Sequence, residues 1–392
     1  MTDTSEIRAS SARPSDEMLP FLNNFHDIFT TLGVLILLGG LGVGAGQVMA
    51  GLDMAEGSQA WQNILMALIG GIAVFAWFLS ALLVGKQRRI LPGIVLSGVF
   101  GVATAIVLVW GYAQFLIHVA GISETSFELG SESAENMAFG REAVMAVVSQ
   151  IPLSVRVMPV VFGLAFVLPM MAYYRVYRLP FAGGLVGAGT VMTAVMILLV
   201  IEPYTAIVWM PTINVAAGAA LLLAGILFDA RDPGRETRLS GTAFWLHFFA
   251  APILLGAVLN MAQVGLTLGE SDFANPDAIN LFAALAADSA EAMRLAVTAL
   301  VVIGLFALVS LLINRRALIV SGLVTAGVSI GVIVNSTDLG AGVVVAVTLL
   351  VLGGIVVLLG AAWNPVRRIL LLPIPQGGPL GRIFPPVSAA EG

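Results

Sequence analysis

The sequence predicts an all-α, polytopic transmembrane helical bundle of about ten spans. Of the 392 residues, 59% are apolar and only 10% are charged, with a mean hydropathy of +1.00. An average soluble domain carries about 25% charged residues. Long apolar runs recur along the chain, and basic residues gather in every second connection between them. A soluble core cannot bury this much apolar surface, so we expect lipid around most of the chain.

Each predicted span is an apolar run of about 20 residues. A helix needs that length to cross ~30 Å of hydrocarbon, where its backbone groups must pair internally. The ten runs are 28–50, 64–84, 91–117, 157–174, 181–201, 206–228, 243–266, 295–313, 317–334 and 343–363. The fourth contains Pro159 and Pro169, and a tight turn at Glu202 and Pro203 joins the fifth to the sixth. Nine or eleven spans therefore remain alternatives.

The basic residues predict the orientation of the chain. Lysine and arginine resist translocation, so cytoplasmic loops collect them. If both termini are inside, only Arg141, Arg156 and Arg294 of the 18 basic residues lie outside. The fifteen others are Arg8, Arg13, Lys86, Arg88, Arg89, Arg175, Arg178, Arg231, Arg235, Arg238, Arg315, Arg316, Arg367, Arg368 and Arg382. This asymmetry predicts an N-in, C-in topology.

The predicted domains are a cytoplasmic tail (1–27), a transmembrane helical domain (28–366) and a Pro/Gly-rich cytoplasmic tail (367–392). Between Met18 and Phe29 the apolar residues follow helical spacing on one face. This pattern is typical of a helix in the membrane interface, either as an anchor or as a docking site for a partner. Two basic turns, 88–91 and 315–318, resemble each other and raise the alternative of an internal duplication.

Composition excludes several classes of function. Cysteine is absent, which removes disulfides, thiolate metal sites and cysteine nucleophiles. No basic block is present that would follow a phosphate backbone, so we expect no nucleic-acid partner. Nucleotide-binding, metalloprotease and serine-hydrolase motifs are also missing from the sequence. We therefore predict no cofactor and no metal, and expect lipid and a small solute or ion as partners.

Polar residues within or beside the spans are the candidate site, because polar groups are costly in hydrocarbon. Asn260 and Gln263 form an i, i+3 pair on the seventh span, and Asn214 lies in the outer part of the sixth. Glu202 and Asp338 lie near outer ends of spans. These five residues are predicted to line a pathway open to the exterior. The alternative is that the amides pair between helices while the carboxylates meet water.

A second set of candidates is an outer polar cluster of His118, Asp288, Glu291 and Arg294. The last three follow one another at i, i+3 steps, so two carboxylates could be held by one guanidinium. That arrangement would suit a lipid-modifying enzyme, whereas a solvated helix entry explains the same spacing. His247 lies in an aromatic run, 244–249, and is interpreted as a satisfied imidazole in an interfacial aromatic band.

Several segments of the C-terminal part resemble an uncharacterised group of bacterial multi-pass inner-membrane proteins. The resemblance depends on Asp232-Pro233, Phe244-Trp245-Leu246-His247, Ala250-Ala251-Pro252, Arg315-Arg316-Ala317-Leu318 and Trp363-Asn364-Pro365-Val366-Arg367-Arg368. It implies a location in the bacterial cytoplasmic membrane and carries no substrate. From the residues, the favoured function is a small-solute permease or channel-like transporter. The alternative is a membrane scaffold or assembly factor that holds partners through glycine-rich helix faces.

Overall fold

The computed structural model describes residues 25–52, 54–122, 140–232, 237–264, 290–335, 341–375 and 378–385. Every regular element in these ranges is a helix. Ten of the helices are long and apolar enough to cross a membrane. The predicted all-α, polytopic bundle with ten spans is thus confirmed. The chain divides into two compact units between Ala103 and Thr104, within one long helix.

The first unit contains α1 (Phe25–Ala50), α2 (Gln59–Ser80) and the beginning of α3 (Leu91–His118). A π-helical segment, Ala81–Lys86, continues α2. The side chains that form its core are Val34, Ala76, Leu83 and Leu96. At one end of this unit the buried Asp27 accepts a hydrogen bond from Arg89 at 3.0 Å. This contact ties the start of α1 to the turn before α3.

The second unit contains the rest of α3 and all later helices. They are α4 (Arg141–Gln150), α5 (Leu153–Arg156), α6 (Met158–Tyr177), α7 (Pro180–Ile201), α8 (Pro203–Val208), α9 (Met210–Arg231), α10 (Arg238–Val264), α11 (Ala290–Ile313), α12 (Ala317–Asn335), α13 (Ala341–Ala361), α14 (Trp363–Leu371) and α15 (Gly378–Ile383). Short connections make α6–α7, α9–α10 and α11–α12 antiparallel neighbours.

The central helix of the second unit is α10, which packs against α7, α9, α11 and α12. It is the most deeply buried of the ten spans. Small residues allow this packing, since they let helix backbones approach closely in lipid. On α7, a Cβ added at Gly184 would lie only 2.5 Å from the Cβ of Trp245. Three polar residues of α10, Ser240, Thr242 and His247, are buried in this packing.

The outward faces of the spans are apolar. Large hydrophobic side chains such as Phe78, Leu168 and Val324 are exposed on α2, α6 and α12. Exposed apolar surface on this scale needs lipid around it, because soluble monomers rarely leave large apolar patches open to water. The protein is an integral, multi-pass membrane protein in contact with lipid.

The starts of the first and sixth spans differ from the sequence prediction. The first span begins at Phe25, so the described part of the predicted interfacial helix, 25–29, is continuous with α1. Residues 18–24 of that helix lie outside the described ranges.

The sixth span begins at Met210, after the separate short helix α8. Proline near the N-terminus of a helix costs no internal hydrogen bond, and Pro203 and Pro211 therefore start two helices in succession. The predicted domain boundaries at 27 and 366 remain predictions.

Candidate functional site

A buried ion pair joins two helix hairpins at one end of the second unit. Asp229 lies on α9, two residues before its end at Arg231, and Arg315 lies in the turn between α11 and α12. The Nε of Arg315 donates to the Oδ2 of Asp229 at 2.9 Å, and its Nη2 donates to Oδ1. The side chain of Asp229 is 13% exposed and that of Arg315 is 3% exposed. A bidentate, desolvated guanidinium–carboxylate pair is among the strongest polar contacts in proteins.

The backbone of the turn directs Arg315 inward. Asn314 directly follows α11 and has a positive φ of 55°, a left-handed conformation that asparagine tolerates better than most residues. The Arg315 amide then donates to the Ser310 carbonyl at 2.8 Å, and the Ser310 hydroxyl donates to the Arg315 carbonyl. Ser240 on α10 accepts a further bond from Nη2 at 2.8 Å. Burial lowers the pKa of the Arg315 guanidinium to about 9, which leaves the group charged at neutral pH.

His247 completes the cluster from α10. Its Nε2 lies 3.1 Å from the Oδ2 of Asp229, and its side chain is fully buried. Helical side chains tilt toward the N-terminus of their helix, so His247 leans back toward the end where Asp229 lies. Gly225 on α9 leaves the space for the ring, because an added Cβ would lie 2.6 Å from Cε1 and 2.8 Å from Nδ1.

The hydrogen bonds fix the chemistry of the imidazole. A carboxylate only accepts, so the Nε2 that faces Asp229 carries a proton, and in a neutral ring Nδ1 then carries the lone pair. That Nδ1 is buried and has no hydrogen-bond partner among the described residues. With a neutral imidazole, the carboxylate of Asp229 and the guanidinium of Arg315 balance in charge. We call Asp229, His247 and Arg315 the buried triad.

A second set of contacts fixes the same turn from its other side. Arg367 on α14 is 1% exposed, and its Nε donates to the Leu311 carbonyl at 2.8 Å. The indole Nε1 of Trp363 donates to the Asn314 side chain at 2.9 Å, and the guanidinium of Arg316 lies over the same indole ring at 4.9 Å. The turn that presents Arg315 is therefore held by packing as well as by the triad.

The predicted pair Asn260 and Gln263 lies at the opposite end of α10, and both side chains are half-buried. Pro252 and Gly256 precede them on the same face, at helical steps of four residues. Pro252 is exposed, and an added Cβ at Gly256 would meet no atom within 4 Å. The Oε1 of Gln263 is buried without a hydrogen-bond partner in the described part of the chain. We call these four residues the polar stripe.

The other predicted pathway residues are spread over several elements. Glu202, between α7 and α8, pairs with Arg141 at 3.3 Å, and both side chains are largely accessible to solvent. Asn214 is half-buried on α9. Asp338 lies outside the described residues.

Of the predicted outer cluster, two members can be placed. His118 ends α3 and Arg294 lies near the start of α11, and both are exposed. Asp288 and the side chain of Glu291 lie outside the described residues. The proposed convergence of these four groups therefore remains a prediction. In the described ranges, no group of three or more histidine, aspartate or glutamate side chains is arranged to hold a metal ion.

Asp229 is not among the site residues predicted from the sequence, and Arg315 enters the prediction through the topology, the two similar basic turns and the resemblance, not as a site residue. One signal was available. Asp229 is an acid directly after an apolar run, on the side of the chain where basic residues dominate. An antiparallel hairpin of α9 and α10 brings such an acid beside residues early in the next helix. The sequence predicts a satisfied imidazole at His247, whereas only its Nε2 has a hydrogen-bond partner in the described part of the chain.

Comparison with known proteins adds no family. No protein-family model matches the chain, and no curated protein or solved structure matches it.

Proposed function

We propose that this integral membrane protein is a permease or channel-like transporter of a small polar solute. The observation that carries the proposal is the polar stripe on α10, and in particular the Oε1 of Gln263, which has no hydrogen-bond partner among the described residues. A buried acceptor without a partner costs about 1–3 kcal/mol. A solute that donates a hydrogen bond would satisfy it.

The stripe offers polar groups at successive levels of one helix face. Pro252 has no N–H, which removes the helical donor for the carbonyl of Phe248 one turn earlier. Gly256 leaves open space beside the backbone. Asn260 and Gln263 then add two amides. The free carbonyl, the open space at Gly256 and the two amides thus follow one another along one helix face. This order suits a solute that moves along the helix by exchanging hydrogen bonds.

A swelling assay tests this proposal. Liposomes that contain the purified protein are exposed to gradients of urea, glycerol, erythritol and small amino acids. At least one solute should enter faster than into protein-free liposomes, and Gln263→Leu should reduce that rate. Gln47→Leu is the matched control, because it makes the same change at an exposed position of α1. Entry equal to that in protein-free liposomes for every solute would refute the transport proposal.

A membrane scaffold is the second candidate, and α1 favours it. Added Cβ atoms at Gly40 and Gly44 would meet no atom within 4 Å, so this small-residue face is unpartnered among the described residues. Such faces associate with other helices in lipid. For a scaffold, Gly40→Leu combined with Gly44→Leu would alter the proteins cross-linked to it in native membranes. Gln263→Leu would leave those cross-links unchanged.

We further propose a bacterial cytoplasmic membrane as the location, with both termini inside. The resemblance of the C-terminal segments supports the membrane, and the basic residues support the orientation.

A further inference from the structure

We propose that the buried triad is a proton-binding site in which Nδ1 of His247 is the acceptor. Proton binding there weakens the contact between the α11–α12 turn and the α9–α10 hairpin. The binding step stands on the geometry of the triad alone. Its use in a transport cycle, as the site of a coupling proton, rests on the proposed function.

The acceptor is defined by its surroundings. Nε2 of His247 donates to Asp229, and in the neutral ring the lone pair therefore lies on Nδ1. Nδ1 is buried without a hydrogen-bond partner in the described part of the chain, and it packs against Gly225, where an added Cβ would lie 2.8 Å away. The lone pair takes a proton from hydronium, an N–H bond forms at Nδ1, and water is released. The product is an imidazolium that keeps its Nε2–H bond to Asp229, and the step reverses when the pH rises.

The charges around the ring make this proton consequential. Of the helices that pack on α10, α7 and α12 contain no titratable residue. On α9 the charged groups are Asp229 and the exposed Arg231, and on α11 they are Glu291 and Arg294 at the far end. Asp232, directly after α9, is buried and accepts hydrogen bonds from the amide and hydroxyl of Thr237 at 2.9 and 2.6 Å.

Asp229 is therefore the only carboxylate that the described contacts place on the imidazole. Nε2 of His247 and Nε of Arg315 both bond the same oxygen, Oδ2 of Asp229, at 3.1 and 2.9 Å. Protonation of His247 would place two cations on this oxygen, and like charges repel in a site with little water. Protonation thus weakens the contact that joins the α11–α12 turn to the α9–α10 hairpin.

The depth of the site suits a controlled exchange with one aqueous side. His247 lies nine residues after the start of α10, or about 13 Å along the helix axis. Asp229 and Arg315 lie between it and the arginine-rich end. Loosening of that ion pair would open the side of the imidazole that faces Asp229 to this end of the protein.

Histidine ¹⁵N NMR tests the binding step, since the chain has only three histidines. His26→Gln combined with His118→Gln changes two exposed residues and leaves His247 as the sole imidazole. In nanodiscs near pH 8.5, this variant should show a proton on Nε2 and a bare Nδ1. On acidification it should convert to the doubly protonated imidazolium. A proton on Nδ1 at alkaline pH, or a ring that stays neutral throughout, would overturn the proposal.

Cysteine accessibility tests the opening step without reference to any solute. Ala243 is buried on the same face of α10 as Ser240 and His247, and the chain has no native cysteine. The measured quantity is the rate of maleimide labelling of Ala243→Cys. Because the thiolate content varies with pH, this rate is divided at each pH by that of the exposed Gln87→Cys. The normalised rate should rise about tenfold on acidification. That factor corresponds to ~1.4 kcal/mol.

Ala257→Cys, which is buried in the other half of α10, should show no rise. The rise at Ala243→Cys should disappear when His247→Gln is added. Labelling of Ala243→Cys that is independent of pH would refute the coupling even if the NMR titration succeeds. Neither experiment measures solute entry. Either of them can therefore refute the proton-binding proposal without refuting the transport proposal, and the reverse also holds.

Discussion

The Asp229–Arg315 pair should be strongly coupled, and a double-mutant cycle measures that coupling. Arg315→Met leaves the carboxylate of Asp229 without its guanidinium in a site where only 13% of that side chain is exposed. Removal of one partner from a buried pair typically costs about 3–5 kcal/mol. Asp229→Asn removes the other charge, and the double variant removes both. The coupling energy should be about 2–3 kcal/mol.

The exposed pair Arg141–Glu202 provides the internal control. Its N···O distance is 3.3 Å, with side chains 62% and 38% exposed. Water screens such a pair, so its coupling energy should stay below about 1 kcal/mol. Both cycles can be measured by reversible unfolding in mixed micelles, followed through the fluorescence of the six tryptophans. If the Asp229–Arg315 coupling is no larger than that of the exposed pair, the account of the triad as a structural connection is wrong.

Two further substitutions test how the triad is positioned. Gly225→Ala should displace the His247 ring and lower the free energy of unfolding by about 1–3 kcal/mol, the usual cost of overpacking. The control is Gly304→Ala, whose added Cβ meets no atom within 4 Å, and it should be close to neutral in the same unfolding assay. Asn314→Ala should cost about 1–2 kcal/mol in thermal unfolding, since it strains a residue at φ 55° and removes the acceptor for Trp363. Asn314→Gly removes only the acceptor and should cost less, and equal costs for the two variants would contradict the backbone argument.

The ten spans could be predicted because hydropathy is a local property of each segment. The apolar runs at 91–117, 181–201 and 317–334 correspond closely to α3, α7 and α12. The triad could not be predicted in the same way. Asp229 and Arg315 are 86 residues apart, and their contact depends on which neighbours α10 has and on the left-handed backbone of Asn314. A scan for charges within spans passes over both, because each lies at or beyond a helix end.

The resemblance between the two basic turns takes a more exact form in the structure. Arg88 and Asn314 both have positive φ, at 56° and 55°. The residue that follows each of them, Arg89 or Arg315, pairs with an aspartate on another helix. When the segments 88–91 and 315–318 are aligned by sequence, Arg88 corresponds to Arg315. When the turns are aligned by their left-handed residues, Arg89 corresponds to Arg315. Both turns thus use a left-handed residue to direct an arginine inward, and an internal duplication remains a prediction.

Single-cysteine accessibility in intact cells tests the membrane account most directly, and the cysteine-free chain allows it. Gln87→Cys lies in the basic turn before α3, and Ala120→Cys lies just beyond the other end of that helix, both at exposed positions. A membrane-impermeant maleimide should label Ala120→Cys from outside and should reach Gln87→Cys only after the cells are opened. Labelling of Gln87→Cys in intact cells would place the arginine-rich turns outside and contradict the predicted topology.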